Sequence, residues 1–223
     1  MAQFGWLIDL DRCIGCDTCT VACKSENNTR PVSSPLKFKN LGGAPVLGNP
    51  AGAIADHTSY RWVVKRQSGA YPATKTSFVT SSCNHCASPA CMAACPLSNP
   101  NDPSNENNAI FKRASDGVVL INDSVCNGCK QCIVACPYGA PQFNSTTKKV
   151  EKCTMCVHRV YENGVRSGLQ PACVTSCVGD ALRFVDNFDL AGTGNNAPGA
   201  NAPEGFADPA LTKPAVKFVA PRP

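Results

Sequence analysis

Cysteine is the residue type whose number and spacing in this chain could support chemistry. All sixteen cysteines of the 223 residues fall into four groups of four, which we call motifs I to IV. They are Cys13, Cys16, Cys19 and Cys23 (I); Cys83, Cys86, Cys91 and Cys95 (II); Cys126, Cys129, Cys132 and Cys136 (III); and Cys153, Cys156, Cys173 and Cys177 (IV). No cysteine is left over, and thiols repeated at such short spacings are typical of metal ligands.

The spacing within the motifs indicates iron–sulfur cubes. Motifs I and III read C-x2-C-x2-C-x3-C, a run that in two-cluster ferredoxins places three thiolates on one cube and the fourth on another. Motifs II and IV lengthen the segment before the third cysteine but keep the closing C-x3-C. Gly15 and Gly128 lie where a side chain would obstruct backbone bending around a cube. The spacing therefore predicts 4Fe-4S clusters bound by motifs that work in pairs.

Disulfides and zinc are the other uses open to these cysteines. A disulfide framework is typical of small secreted chains that lack a core, whereas this chain is long enough to build one. Zinc can bind two C-x2-C pairs, but zinc ribbons have no use for a third cysteine at x2 followed by a fourth at x3. His85 and His158 lie beside the motifs, yet sixteen cysteines already match sixteen ligand positions. Either histidine is expected to donate a hydrogen bond to a cluster, to pack, or to face water.

Charge and motif content exclude several classes of function. The formal net charge of +5 counts every thiol as neutral. Four oxidised cubes with their thiolates would add about −8 and leave a net charge of about −3. No Lys/Arg run indicates nucleic-acid binding, and no phosphate loop or hydrolase motif indicates catalysis. No apolar run approaches the ~18 residues of a membrane span. We expect a non-catalytic electron carrier without direct membrane insertion.

Short strands and helical turns must position the motifs. LIDLDRCIGCDTCTVAC and LINDSVCNGCKQCIVAC form an internal repeat, in which an apolar run leads into each cysteine loop and a helical turn closes it. Strands are predicted at 6–9, 109–112, 118–123, 142–143 and 181–185, and in YRWVVKRQ. Lys24, Lys130 and Lys152 border the loops and are expected to be solvated. Met155 and Tyr138 are expected to shield clusters.

The order of the motifs resembles a known family. CNHCASPACMAACP, EKCTMCVHRV and PACVTSC are similar to segments of the four-cluster iron–sulfur subunits of molybdopterin oxidoreductase complexes. These are the electron-transfer subunits of the dimethyl sulfoxide reductase superfamily, which includes polysulfide, thiosulfate, tetrathionate and arsenate reductases. The resemblance covers roughly residues 4–185. It implies an α+β fold of tandem bacterial ferredoxin-like domains with pseudo-twofold symmetry and many loops.

The resemblance implies a pairing of motif I with IV and of motif II with III. The four ligand sets that follow are site 1 (Cys13, Cys16, Cys19, Cys177), site 2 (Cys153, Cys156, Cys173, Cys23), site 3 (Cys83, Cys86, Cys91, Cys136) and site 4 (Cys126, Cys129, Cys132, Cys95). Each is expected to bind one 4Fe-4S cluster. The implied first half is 1–30 with 150–185, and the second half is 78–149. An insertion at 31–77 and an extended C-terminal arm at 186–223, disordered or lying on a partner, complete the chain.

The resemblance also implies partners. The chain would pass electrons between a catalytic subunit with a molybdenum or tungsten bis-pterin cofactor and a membrane quinone-reactive subunit, a cytochrome or a soluble redox protein, as in anaerobic respiration. It would reach the periplasm by co-export with the catalytic subunit and be membrane-associated there, or else remain cytoplasmic. The alternatives are a free-standing polyferredoxin and, in another class, a zinc-stabilised interaction module.

Overall fold

Short helices and strands joined by turns make up the fold. The computed structural model describes residues 3–29 and 60–219. The strands are β1 (Gly5–Ile8), β2 (Arg61–Ser68), β3 (Lys75–Ser82), β4 (Ile110–Lys112), β5 (Val119–Ile121), β6 (Gln142–Asn144), β7 (Lys149–Glu151), β8 (Tyr161–Glu162), β9 (Val165–Arg166), β10 (Leu182–Val185) and β11 (Val216–Phe218). The helices are α1 (Thr18–Glu26), α2 (Ala90–Ala93), α3 (Gln131–Ala135), α4 (Val157–Val160) and α5 (Ala172–Thr175). This mixture agrees with the predicted α+β class.

A three-stranded sheet joins the two ends of the chain. β1 pairs antiparallel with β10 and parallel with β11, so that Trp6 lies opposite both Phe184 and Val216. Trp6 and Ile8 are buried on the same face of β1, as the alternation of a half-buried strand requires. The strands predicted before motif I and after motif IV are confirmed.

A long hairpin leads into motif II. β2 and β3 pair antiparallel from Arg61–Ser82 to Ser68–Lys75, and Cys83 follows β3 directly. Trp62 and Val79 are buried in the main core, which they share with Trp6 and Leu182. The strand predicted in YRWVVKRQ is therefore confirmed. Residues 31–59 of the predicted insertion lie outside the described residues.

Motifs II and III lie on a smaller second core. β4 pairs with β5, β6 pairs with β7, and α2 packs against α3. Met92, Ile110, Val119, Ile133 and Val150 are buried together there. The strands predicted at 109–112, 118–123 and 142–143 are confirmed with small shifts of their ends. In the part of the chain that the structure describes, no helix is long and apolar enough to cross a membrane.

The C-terminal segment, 186–219, lies on its own chain rather than extending away from it. The Ala87 amide donates to the Lys213 carbonyl and the Ala215 amide to the Asn84 carbonyl, each at 2.8 Å. Phe206 packs on Tyr138 with ring centroids 4.9 Å apart. The expectation of a disordered tail is therefore wrong for residues 186–219, whereas contact of this segment with a partner stays a prediction. Composition misled because a chain rich in Gly, Asn and Pro can be ordered by backbone hydrogen bonds to neighbours distant in sequence.

Candidate metal centres

The structure places all sixteen cysteines in its described residues and leaves each of them as a free thiol. Cys16 and Cys129 are exposed, whereas eight cysteines are buried and the other six are half-buried. Free, partly buried thiols grouped by sequence motif remain available as metal ligands. The disulfide alternative therefore has no counterpart in the structure.

Three cavities are each lined by four cysteines drawn from two motifs. One is lined by the site 1 cysteines, one by those of site 3 and one by those of site 4. Each encloses about 300 to 360 Å³ of atom-free space, part of it open to solvent. In each case three cysteines come from one motif, and the fourth is the last thiol of another.

The site 2 cysteines are all buried and influence one another strongly. Burial raises the pKa of Cys23 to about 12, and the neighbouring Cys173 and Cys156 thiolates add to that rise. Burial likewise raises the pKa of Cys153 well above its usual value, with Cys23 the strongest of the neighbouring charges. Cys23 thus lies beside three cysteines of motif IV, more than 100 residues away in sequence.

Short helices explain why one motif serves two sites. Cys19 and Cys23 lie at i and i+4 on α1, which places them on one face about 6 Å apart along the axis. Cys19 faces the site 1 cavity, and Cys23 faces the cysteines of motif IV. α1 packs against α5, which carries Cys173, just as α2 packs against α3. Each helix pair therefore carries adjacent ligands of two neighbouring sites.

Left-handed backbone conformations turn the cysteine loops. Gly15 has φ +69° and Gly128 has φ +74°. A Cβ atom would lie 2.3 Å from a Phe78 ring carbon at Gly15 and 2.3 Å from the Lys148 carbonyl oxygen at Gly128. The predicted need for glycine is confirmed at both positions, although the obstruction comes from the protein itself. Such loops also direct backbone amides at sulfur, as where the Met155 amide donates to Cys153 Sγ at 3.3 Å.

Burial favours the protonated form of most inner thiols. It raises the pKa of Cys86 and Cys132 to about 12 and that of Cys156 to about 11. The more exposed Cys16 behaves oppositely, because the Thr18 hydroxyl and amide donate to its sulfur and lower its pKa. Metal binding at the buried thiols must therefore displace protons.

Two buried cations, Arg61 and Lys152, and the half-buried Lys112 lie close to the cysteines. Arg61 is 1% exposed and Lys152 is 3% exposed. Lys152 Nζ donates to the carbonyls of Val119 and Cys153, so the prediction that Lys152 is solvated is wrong. Lys112 Nζ donates to the Cys86 carbonyl at 3.2 Å. Burial lowers the pKa of Lys112 to about 8, although the Cys86 and Cys83 thiolates act in the opposite direction. Sequence reasoning missed Arg61 and Lys112, because each lies on a strand outside the cysteine motifs.

The other flanking residues have distinct surroundings. Lys130 is half-buried, with its Nζ 3.9 Å from the centre of the Phe143 ring. Lys24 is also half-buried, so neither lysine is simply solvated. His158 lies at the surface and pairs with Glu26 at 3.0 Å. Met155 and Tyr138 are both buried, as predicted for side chains that shield a site.

His85 is the clearest unsatisfied donor near the cysteines. It is completely buried, and its Nδ1 accepts a hydrogen bond from the Val119 amide at 3.1 Å. Burial and the charges of Lys152 and Lys112 hold its pKa well below the usual value, so the ring is neutral and Nε2 carries the proton. Among the described residues Nε2 has no acceptor. A buried donor of this kind fits a site that gains an acceptor, such as a cluster sulfur, when loaded.

The donor set suits polynuclear iron clusters. Four thiols around one zinc ion at about 2.3 Å would lie about 4 Å from one another. Within residues 3–29 and 60–219, no three Cys, His, Asp or Glu side chains are grouped closely enough for a single metal ion. Thiols that line a cavity, amides directed at sulfur and nearby buried cations are what a 4Fe-4S cube with its negative charge requires. The residues therefore fit that cofactor.

Comparisons with known proteins agree with this chemistry. Residues 74–187 match the family described as "4Fe-4S dicluster domain", and residues 10–28 match "4Fe-4S binding domain". The chain is 35% identical to the B subunit of sulfite dehydrogenase from Allochromatium vinosum over 85% of its own length and 71% of the relative's. It is 36% identical to the B subunit of anaerobic dimethyl sulfoxide reductase from Escherichia coli, with 82% and 73% covered. It is 30% identical to the beta subunit of perchlorate reductase from Dechloromonas aromatica, with 83% and 66% covered.

Proposed function

Because this protein belongs to the family of iron–sulfur electron-transfer subunits of dimethyl sulfoxide reductase-type molybdopterin oxidoreductase complexes, we propose that it conducts electrons through four 4Fe-4S clusters. Its relatives are the beta or B subunits of reductases and dehydrogenases, and the chain is likewise an electron-transfer subunit rather than a catalytic one. Its cofactor is the 4Fe-4S cluster. The proposal adds the number of clusters, their ligands and their order.

One observation carries the proposal. Three cavities are each lined by four cysteines taken from two motifs, and the remaining four cysteines are buried beside one another. Under the proposal each set holds one cube, which we call clusters 1 to 4 after sites 1 to 4. When bound, such cubes accept and release single electrons. The protein then supplies the ligands, the amides that face sulfur and the apolar shell that limits access of water.

The proposed order of the clusters is 1, 2, 3, 4. Sites 1 and 2 share α1, which carries one cysteine of each, and sites 3 and 4 are joined by the contact of α2 with α3. Cys83 of site 3 is among the charges that raise the pKa of Cys153 of site 2, after burial and Cys23, which supports a contact between the two halves. Two such halves, each with two clusters, constitute the proposed tandem ferredoxin-like arrangement with pseudo-twofold symmetry. The boundaries at 1–30 with 150–185 and at 78–149 belong to the same proposal.

The complex is the other part of the proposal. A catalytic subunit is the partner that the family requires. We propose that this subunit carries a molybdenum or tungsten bis-pterin cofactor and exchanges electrons with one end of the cluster row. The other end would serve a quinone-linked membrane subunit or a cytochrome. Co-export with the catalytic subunit would bring the chain to the periplasm.

The first experiment measures metal and spectrum. Protein purified anaerobically should contain about sixteen irons per chain and absorb broadly near 400 nm. Stoichiometric zinc without iron would contradict the proposal. Co-purification from the native host with a large molybdenum- or tungsten-containing protein would separate a subunit from a free-standing polyferredoxin, which would elute alone.

The second experiment tests the ligand sets. Cys177→Ser should change the electron paramagnetic resonance signal that also responds to Cys13→Ser, although the two residues belong to motifs I and IV. A change shared instead with Cys153→Ser would contradict the assignment of Cys177 to site 1. Iron content measured in each variant would show whether a cluster is altered or lost.

A further inference from the structure

Arg61 brings a buried positive charge to the cysteines of two sites. It is the first residue of β2, in the hairpin that precedes motif II and outside both segments that match the 4Fe-4S family models. We propose that Arg61 raises the reduction potential of cluster 2 strongly and that of cluster 1 less strongly. This inference rests on the proposed function, since it assumes clusters at sites 1 and 2.

The guanidinium is oriented by two hydroxyl groups and an aromatic ring. Its Nη1 donates to Thr80 Oγ1 at 3.0 Å and its Nη2 donates to Ser82 Oγ at 2.8 Å, both across the hairpin on β3. Its central carbon lies 4.6 Å from the centre of the Trp6 ring. These three groups carry no net charge, and their contacts fix the orientation of the guanidinium. A buried charge held in this way acts over a longer range than one screened by water.

Among the described residues, cysteines are the negative charges that act most strongly on Arg61. Burial would lower the pKa of Arg61, but Cys173, Cys19, Cys153 and Cys23, when ionised as in the metal-bound form, outweigh burial and raise it. Three of these four belong to site 2 and one belongs to site 1. Arg61 in turn opposes the rise in pKa that burial causes at Cys156, the remaining site 2 ligand. All site 2 cysteines therefore interact with the same cation.

A hydroxyl connects Arg61 to site 1. Thr80 Oγ1, which accepts from Arg61, lies 3.5 Å from Cys19 Sγ. A thiolate ligand can only accept, so the Thr80 proton points to Cys19 when that sulfur binds iron. The hydrogen bond from Arg61 polarises the Thr80 hydroxyl and strengthens its donation to sulfur. Arg61 thus interacts with site 1 through Cys19, whereas it interacts with all four cysteines of site 2.

Sites 3 and 4 have other surroundings. The cations that act on the site 3 thiols Cys86 and Cys91 are Lys112 and Lys152. The charges that act most strongly on Cys132 of site 4 are three other cysteines of the same site. Arg61 Nη2 donates to Ser82, which directly precedes the site 3 ligand Cys83, so cluster 3 is not a clean reference. Removal of Arg61 should leave cluster 4 unchanged, which provides an internal reference in the same molecule.

The expected direction follows from charge. Reduction adds one electron to a cube that is already negative, with no bond made or broken and no proton taken up. A nearby positive charge stabilises the reduced form more than the oxidised form, so its removal lowers the potential. The effect should decrease from cluster 2 to cluster 1 and vanish at cluster 4.

The test is a potentiometric titration followed by electron paramagnetic resonance, with the chain in its native complex. The cluster 2 signal is identified as the one altered by Cys156→Ser. In Arg61→Met the reduction potential of this signal should fall by more than about 59 mV, which corresponds to a tenfold change in the equilibrium constant for one-electron reduction. Lys65→Met is the matched control, because Lys65 is an exposed cation on the same strand. It should move no signal by that amount.

Arg61→Lys separates charge from structure. It keeps the cation but loses the fork that binds both hydroxyls, so the cluster 2 potential should stay within tenfold of the wild type. A shift as large as that of Arg61→Met would overturn the inference, as would four assembled clusters with no shift in Arg61→Met. If Arg61→Met fails to assemble cluster 2, the redox titration is repeated with Thr80→Val. This variant should lower the reduction potential of cluster 1 alone, and an unchanged potential of cluster 1 would refute the inference. An iron-free wild-type protein would instead refute the proposed function.

Discussion

Gly128→Ala tests how tightly the motif III loop is packed. A Cβ atom at this position would lie 2.3 Å from the Lys148 carbonyl oxygen, which belongs to the turn between β6 and β7. That turn cannot yield freely, since Lys148 itself has φ 57° and the neighbouring Lys149 donates to the Cys126 carbonyl. The loop that carries the first site 4 cysteines must therefore move away from the turn.

The cost has two parts. An alanine in the left-handed region loses about 1 to 2 kcal/mol. Relief of the clash by a backbone shift adds about 1 to 3 kcal/mol. Gly164→Ala is a matched control, because Gly164 has φ +80° but a Cβ atom there would meet nothing within 4 Å. The difference between the two variants, about 1 to 3 kcal/mol, corresponds to roughly 5- to 150-fold in the population of an opened loop.

The assay follows iron loss to an excess of chelator under anaerobic conditions. When a loop opens and closes quickly, the rate of attack on the opened form tracks its population. Gly128→Ala should therefore lose iron from site 4 about 5- to 150-fold faster than Gly164→Ala, with the other sites unaffected. Equal rates in the two variants would refute the close approach of the loop to Lys148.

Three further changes test separate parts of the molecule. Cys23→Ser should alter the paramagnetic signal of cluster 2, and a change confined to cluster 1 would contradict the ligand sets. Thr212→Val should lower the potential of cluster 3 in a redox titration, because the Thr212 hydroxyl donates to the Cys86 thiolate; an unchanged cluster 3 would count against that contact. Val216→Ala should destabilise the protein by roughly 2 kcal/mol in thermal unfolding, since Val216 is fully buried, whereas Lys217→Ala, on the opposite face of β11, should cost less than about 0.5 kcal/mol.

The short strands and the left-handed glycines could be predicted from the sequence, because each depends only on residues that are close in the chain. The apolar runs before motifs I and III became β1 and β5, and the run after motif IV became β10. The glycines at 15 and 128 have the left-handed conformation that their place between two cysteines indicates. Each of these predictions depends on a few neighbouring residues and on steric rules that hold in any fold.

Contacts between distant segments could not be predicted in this way. Lys152 reads as a surface residue beside a cysteine, yet the carbonyls of Val119 and Cys153 hold it in the interior. Thr212 lies in a segment with almost no pattern, and it becomes part of site 3 only because the C-terminal segment returns to Asn84 and Tyr138. A single sequence does not indicate which distant segment completes a site.

The composition predicts that basic side chains offset the negative charge of the clusters. The buried cations Arg61 and Lys152 show where two of these positive charges lie. Burial raises the pKa of Cys23 and Cys86 to about 12, so these thiols are neutral before metal binds, and the buried Arg61 and Lys152 then have little thiolate charge close by. Iron binding replaces the thiol protons and creates the thiolates that these cations need. Since the energetic penalty of a buried charge falls when an opposite charge is placed beside it, cluster insertion and folding must be coupled. These two buried cations are therefore an internal counterpart of the clusters, and this part of the basic excess does not indicate an acidic partner.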